Sequence, residues 1–211
     1  MTKVCYFDIE TKYTFQELDN RWETLSYNQQ NEIRDDLIPK MGLATSCVIS
    51  EENSDKAIFF NEGDEKELIS FIDRFDTIIG HNILHFDYLV LSPFYDHGDI
   101  IDHFAKKTID TLDYLKKRTG RYIKLDDLAK FNLNSRKIMN PIDAPRKWRE
   151  GQKDEVRNYC RSDVELLRKI YLKGVEEKSL IYSDKYGEKK VSIECYGLIK
   201  LNCKPNYAFL F

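Results

Sequence analysis

The run Val4-Cys5-Tyr6-Phe7 leads directly into Asp8-Ile9-Glu10, and no other feature constrains the chain as tightly. A short apolar run of this kind reads as a buried strand, predicted here over residues 2–8 with Asp8 at its end. Side chains alternate along a strand, so Asp8 and Glu10 fall on the same side. Two carboxylates at the mouth of a buried strand repel each other, which is costly unless a cation sits between them. Carboxylate oxygens are the ligands that Mg²⁺ and Mn²⁺ prefer.

Acids are common in this chain, with 36 Asp and Glu among 211 residues, so each further motif has to be weighed by its context. A second Asp-x-Glu triplet occurs at Asp163/Glu165, and Tyr-x-x-x-Asp occurs at Tyr95/Asp99, Tyr122/Asp126 and Tyr159/Asp163. The first two tyrosine pairs lie in Gly-interrupted or basic surroundings and read as structural. The third lies on a long helix predicted from about 153 to 177, where residues four apart share a face. Val156, Cys160, Val164 and Leu167 supply that helix's core-facing stripe. Asp87 follows the apolar strand 77–80 and opens a helix; alone it reads equally well as an acid complementing the helix dipole.

Between these points the chain alternates. Polar, helix-prone residues 12–40 look like an insertion after the first strand, anchored by Trp22 and Tyr27. Strands are predicted at 43–50, 56–60 and 108–110. Asp64 with Glu67 resembles a capping box opening a helix through Ile72. Helices follow near 111–118 and 125–131, then a loop at 134–150 containing Pro141 and Pro145. Residues 180–195 carry two β-prone runs around Lys185-Tyr186-Gly187 and read as a hairpin. Three strands followed by alternating helix and strand imply an α/β fold, a mixed sheet with helices on its faces.

The composition, 42% hydrophobic and 13% aromatic, belongs to a folded chain. No apolar run approaches the roughly 20 residues of a membrane helix, and residues 1–8 lack a signal peptide's apolar region. The expectation is a cytoplasmic protein without membrane association. Five scattered cysteines (Cys5, Cys47, Cys160, Cys195, Cys203) form no Cys-x-x-Cys pair and read as reduced, partly buried thiols. A net charge of −3 argues against a passive nucleic-acid coat protein. Basic residues do gather at Lys116, Lys117, Arg118, Arg121 and Lys124, then at Arg136, Lys137, Arg146, Lys147 and Arg149. Taken alone, such a run is more often a solvated face than a binding track.

The ordered set Phe7-Asp8-Ile9-Glu10-Thr11, Asn82…Phe86-Asp87 and Tyr159-Cys160-Arg161-Ser162-Asp163 resembles the three motifs of the DEDDy branch of the DnaQ-like 3′–5′ exonucleases. The likeness spans most of residues 1–178, and Trp148-Arg149-Glu150-Gly151 is similar to uncharacterised bacterial RNase H-like proteins. The sister branch has a His five residues before its last Asp; Asn158 stands there in this chain.

The resemblance implies an RNase H-like, three-layer α/β/α domain over 1–178 with a mixed five-stranded sheet. Residues 179–211 would add a hairpin and tail packed on the same domain. It implies a two-metal 3′–5′ exonuclease using two divalent cations, Mg²⁺ or Mn²⁺, about 3.5–4 Å apart. Asp8 would bridge both ions, Glu10 and Asp163 complete one site, Asp87 hold the other through water, and Tyr159 orient the attacking water. Candidate substrate contacts are Asn82, Phe86, Arg146, Lys147 and Arg149; Phe7 and Tyr88 are further stacking candidates, with core packing preferred for Phe7.

The partner implied is nucleic acid, single-stranded or at its 3′ ends, and the likeness of 109–133 to polymerase-associated exonuclease domains slightly favours DNA over RNA. No motif identifies a helicase or polymerase partner. The alternative is a catalytically degenerate RNase H-like module that binds nucleic acid or another partner; its usual mark, a missing metal acid, is not present.

Overall fold

The computed structural model of the chain describes residues 2–136 and 138–193. Lys137 and the tail 194–211, with Cys195 and Cys203, lie outside the described residues. Strand β1 (Val4–Thr11) is central, with β2 (Leu43–Ser50) antiparallel on one side and β4 (Thr77–Gly80) parallel on the other. Strand β3 (Ala57–Asn61) pairs antiparallel with β2, and β5 (Thr108–Asp110) runs parallel to β4. The order β3-β2-β1-β4-β5 is a mixed five-stranded sheet, as an RNase H-like fold requires. A separate hairpin, β6 (Ser179–Asp184) with β7 (Gly187–Ser192), turns through Lys185-Tyr186 as read from the sequence.

The period-two pattern of β1 supplies both faces of the sheet. Tyr6 joins Cys47, Ile49 and Ile79 in a core beneath α6 (Thr111–Thr119), α7 (Leu125–Leu133) and α9 (Lys153–Glu177), which also takes in Leu180 and Val191 of the hairpin. Cys5, Phe7 and Ile9 point the other way, into a core with Leu68 and Ile72 of α3 (Glu65–Ile72), Tyr88 and Leu91 of α4 (Asp87–Leu91), and Phe104 of α5 (Ile100–Phe104). Asp8 and Glu10 therefore share the face that α9 covers. Among the described residues no helix is long and apolar enough to cross a membrane.

Several local expectations are corrected. Strand β1 continues to Thr11, because β2 pairs with it along that length, so the two acids lie within the strand and not at its end. The capping box at Asp64 does not form; the carboxylate turns back to accept from the Asn61 N–H at 2.9 Å. The insertion folds as α1 (Phe15–Leu18) and α2 (Tyr27–Leu37) around 3-10 turns. Trp22 anchors it by stacking on Phe15, whereas Tyr27 is 70% exposed and anchors nothing. Residues 134–150 are not all loop, since Pro145 sits in the first turn of α8 (Ala144–Arg149), where its missing N–H costs no hydrogen bond.

Candidate active site

Strand β4 stops pairing with β1 at Tyr6↔Ile79, so β1 beyond that point lacks a strand on one side. The connection from β4 to α4 folds into the gap. The Ile9 N–H, which a neighbouring strand would otherwise satisfy, donates to the Asp87 carboxylate at 3.1 Å. One side chain thus closes the sheet edge and enters the same cleft as Asp8 and Glu10.

The loop delivering Asp87 is shaped by residues chosen for backbone reasons. A Cβ at Gly80 would lie 2.2 Å from the Ile83 side chain, so only glycine allows that approach. Asn82 takes the left-handed conformation at φ 75°, which asparagine tolerates better than most residues. Asp110 at the end of β5 ties the loop down: its carboxylate accepts from the Asn82 N–H at 2.9 Å and the Leu84 N–H at 3.0 Å. It also caps α6 through the Leu112 N–H at 3.0 Å. The sequence reading placed Asp110 in a strand and missed this role; its signal is an Asp that ends one element and caps the next.

Helix α9 lies across β1 and β2 and presents Val156, Tyr159, Cys160, Asp163 and Val164 as one buried face. The Tyr159 hydroxyl lies beside the Asp163 carboxylate, one turn on. Burial, with Glu10, Asp163 and Asp8 nearby, pushes the phenol well above its usual range. Cys160 hydrogen-bonds through its thiol to the Asp8 carbonyl at 3.6 Å. Donor atoms of Asp8, Glu10 and Cys160 fall within 4.8 Å of one another, and Asp87 and Asp163 line the same cleft outside that tight group.

The donor set fits a hard divalent cation. Asp163, Asp87 and Glu10 are 1%, 3% and 7% exposed, so three carboxylates are withdrawn from water within one cleft. Like charges at short range in poor solvent oppose ionisation. Asp87 accordingly sits well above the normal carboxylate range, through burial first and then the charges of Asp8 and Asp110. Burial first, and then Asp8, Glu10, Cys47 and Asp163, push the Cys160 thiol well above its usual range.

A raised carboxyl makes the native state bind a proton the unfolded chain has released. Stability of the metal-free protein should therefore fall as pH rises from the ordinary carboxylate range towards the Asp87 value, by at most about 1.4 kcal/mol per pH unit. Thermal melts should show that slope flattened in Asp87→Asn. Mn²⁺ at about 100 times its dissociation constant should restore about 2.7 kcal/mol to the parent at neutral pH. Parallel pH profiles for parent and variant would contradict this assignment.

The cleft has a volume of about 490 Å³. Apolar side chains form part of its walls: Phe15 and Trp22 come from the insertion, beside Thr14, Gln16 and Glu23, and Pro141, Ile142 and Pro145 from the segment before α9. Asn82 and Phe86 line it as well. Tyr88 does not; it is fully buried, stacked near Phe7 and Phe104, with its hydroxyl on Thr108, so the sequence expectation of a stacking surface there is corrected. The basic trio lies outside the lining. Arg146 pairs with Asp143 and Glu150, and Lys147 with Glu155. Arg149 bonds the Lys12 carbonyl and the Glu17 carboxylate and sits over the Tyr13 ring.

No protein family matches the sequence, and no curated protein does. Among solved structures the chain is similar to the family B DNA polymerase from the hyperthermophilic archaeon Pyrobaculum calidifontis, with a TM-score of 0.52 and 14% identity. The likeness covers 83% of this chain and 25% of the polymerase, so the chain spans about a quarter of that protein's length. At this identity it is a likeness of fold.

Proposed function

We propose that the chain is a metal-dependent 3′–5′ exonuclease acting on single-stranded nucleic acid. Its catalytic unit would be residues 1–178, with 12–40 as an insertion. The observation that carries this reading is that Asp8, Glu10, Asp87 and Asp163, from three separate elements, line one cleft, three of them buried, with Tyr159 beside the last. Maintaining such a group of carboxylates opposes folding, and it is explained by a bound divalent cation. Asp8, Glu10 and Asp163 would hold one ion, and Asp87, with Asp8, a second. When bound, the ions stabilise the charge that develops on the attacking and leaving oxygens of a phosphodiester.

The protein's own groups do the rest. The Ile9 N–H and the Asp110 carboxylate fix Asp87 and its loop before substrate arrives, so no reorganisation is needed during reaction. Tyr159, whose phenol stays protonated, would position water at the edge of the acid cluster. Phe86 and Asn82, which line the cleft, would contact a terminal nucleotide bound there. With Mn²⁺, a 5′-labelled linear strand should shorten progressively, and a 3′-phosphorothioate cap should slow it. A circular strand should survive. Equal cutting of the circle would make the enzyme an endonuclease and overturn the reading.

A further inference from the structure

We infer that the exposed strip from the end of α6 to the turn of the β6–β7 hairpin is a track for the single strand behind its 3′ terminus. Tyrosine rings on it would meet bases, and lysines phosphates. This rests on the exonuclease reading and extends it from the scissile end to the rest of the strand. Residues 116–124 carry five cations and no acid. Residues 185–190 add three lysines against one acid, Glu188. The three most exposed tyrosines among the described residues, Tyr27, Tyr122 and Tyr186 at 70%, 63% and 73%, border the same strip. A single exposed ring is ordinary, whereas a gathering of them on one face marks an interaction surface.

Lys116 donates to the Tyr122 hydroxyl, with its ammonium 4.2 Å from the centre of that ring. The ammonium is held above its ordinary range, by the Tyr122 bond first and by Asp113 and Tyr27 as well, which sets the first turn of α2 beside the strip. Across it, Arg121 pairs with Asp184 at 3.4 Å, and Asp184 accepts from the Tyr186 N–H at 2.7 Å, so the hairpin turn is held close. There Lys185 stands 4.9 Å from the Tyr186 ring. Ring and ammonium thus occur side by side twice, matching the base and phosphate that a single strand repeats. A duplex offers base edges and keeps its base faces stacked inside, so it would leave the rings unused. Asp113 is engaged by Lys117 at 2.9 Å, while Lys124 has no carboxylate partner among the described residues. Helix α6 joins the strip to the cleft. Its first residue, Thr111, donates to the Gly80 carbonyl at 3.0 Å, next to His81 and Asn82 of the lining. Its nine residues then rise about 13 Å to the cations of its last turn. At about 3.4 Å per stacked nucleotide, a strand seated in the cleft reaches the strip within about four.

The test compares binding in Ca²⁺ of 5′-fluorescein oligothymidylates of about 3 and about 12 nucleotides, the longer one within the range a single-strand groove occupies. Cleavage of both in Mn²⁺ is read separately. The parent should bind the longer strand more tightly. Lys116→Gln, Lys124→Gln and Lys185→Gln together should flatten its log–log salt slope by about two, three phosphate contacts at about 0.7 each. Tyr122→Ala with Tyr186→Ala should weaken it by about 5-fold or more, and Phe at both positions should keep parental affinity, because the rings remain. Cleavage of the short strand should be unchanged in every variant. If the parent cuts but the variants bind the longer strand as it does, or lose both lengths alike, the track is wrong and the nuclease reading stands. A blunt duplex bound as tightly as the single strand would overturn the track too. If the parent binds the longer strand through these residues and cuts neither, the track stands and the nuclease reading falls. If it neither binds nor cuts, both fall.

Discussion

Replacing Asp8 with alanine is expected to abolish metal-dependent cleavage while the fold survives. Asp8 is the only half-buried acid of the four, and its charge is felt by Asp87, Tyr159, Cys160 and Cys47. Removing it takes away the carboxylate common to both proposed ion positions. The rate should fall by about 10³-fold or more, the upper end of what one lost electrostatic contact to the transition state costs. Stability without metal should hold or rise, because a repulsive charge has left a group of like charges. Calorimetric Mn²⁺ titration together with single-turnover rates reads both effects. A variant that binds Mn²⁺ and turns over as the parent does would take Asp8 out of the site.

Tyr159→Phe and Asp163→Asn should separate, although their side chains lie side by side on one face of α9. Tyr159→Phe keeps the ring packed between α9 and the sheet and deletes one hydroxyl. Positioning and proton-transfer groups typically contribute about 10²–10⁴-fold, so turnover should slow by that range or somewhat less, with Mn²⁺ affinity largely kept. Asp163→Asn removes a buried charge proposed to ligate the ion, so affinity and rate should fall together. The pH profile should not acquire a tyrosine limb, because the phenol is already far above its usual range and stays protonated. Parental speed in Tyr159→Phe would leave the tyrosine as packing alone.

Strands β2 and β4 and the whole of α9 were legible because each is an apolar pattern of one period, long enough to outvote local noise. Four of the five proposed site residues stand out for a related reason: Asp8 and Glu10 sit two apart on a strand, and Tyr159 and Asp163 four apart on a helix. What the sequence hid is what depends on partners far along the chain. Arg149 reads as a free cation until Glu17, 132 residues away, is brought against it by the insertion. Asp110 anchors a loop 26 and 28 residues upstream, a relation that no periodicity encodes. Asp64 and Tyr27 show the opposite error, where a good local signal gave way to tertiary context: Asn61 claimed the first, and the described residues leave the second 70% exposed.

The most direct test is release of the terminal nucleotide from a 3′-labelled single strand, followed with Mn²⁺ and with chelator. The expected result is that the label leaves first, as a mononucleotide or short product, only when the cation is present, and that Asp8→Ala releases none. Release undiminished by exhaustive chelation, or no release by the metal-loaded parent from DNA or RNA, would contradict the assignment of this carboxylate cleft as a two-cation exonuclease site.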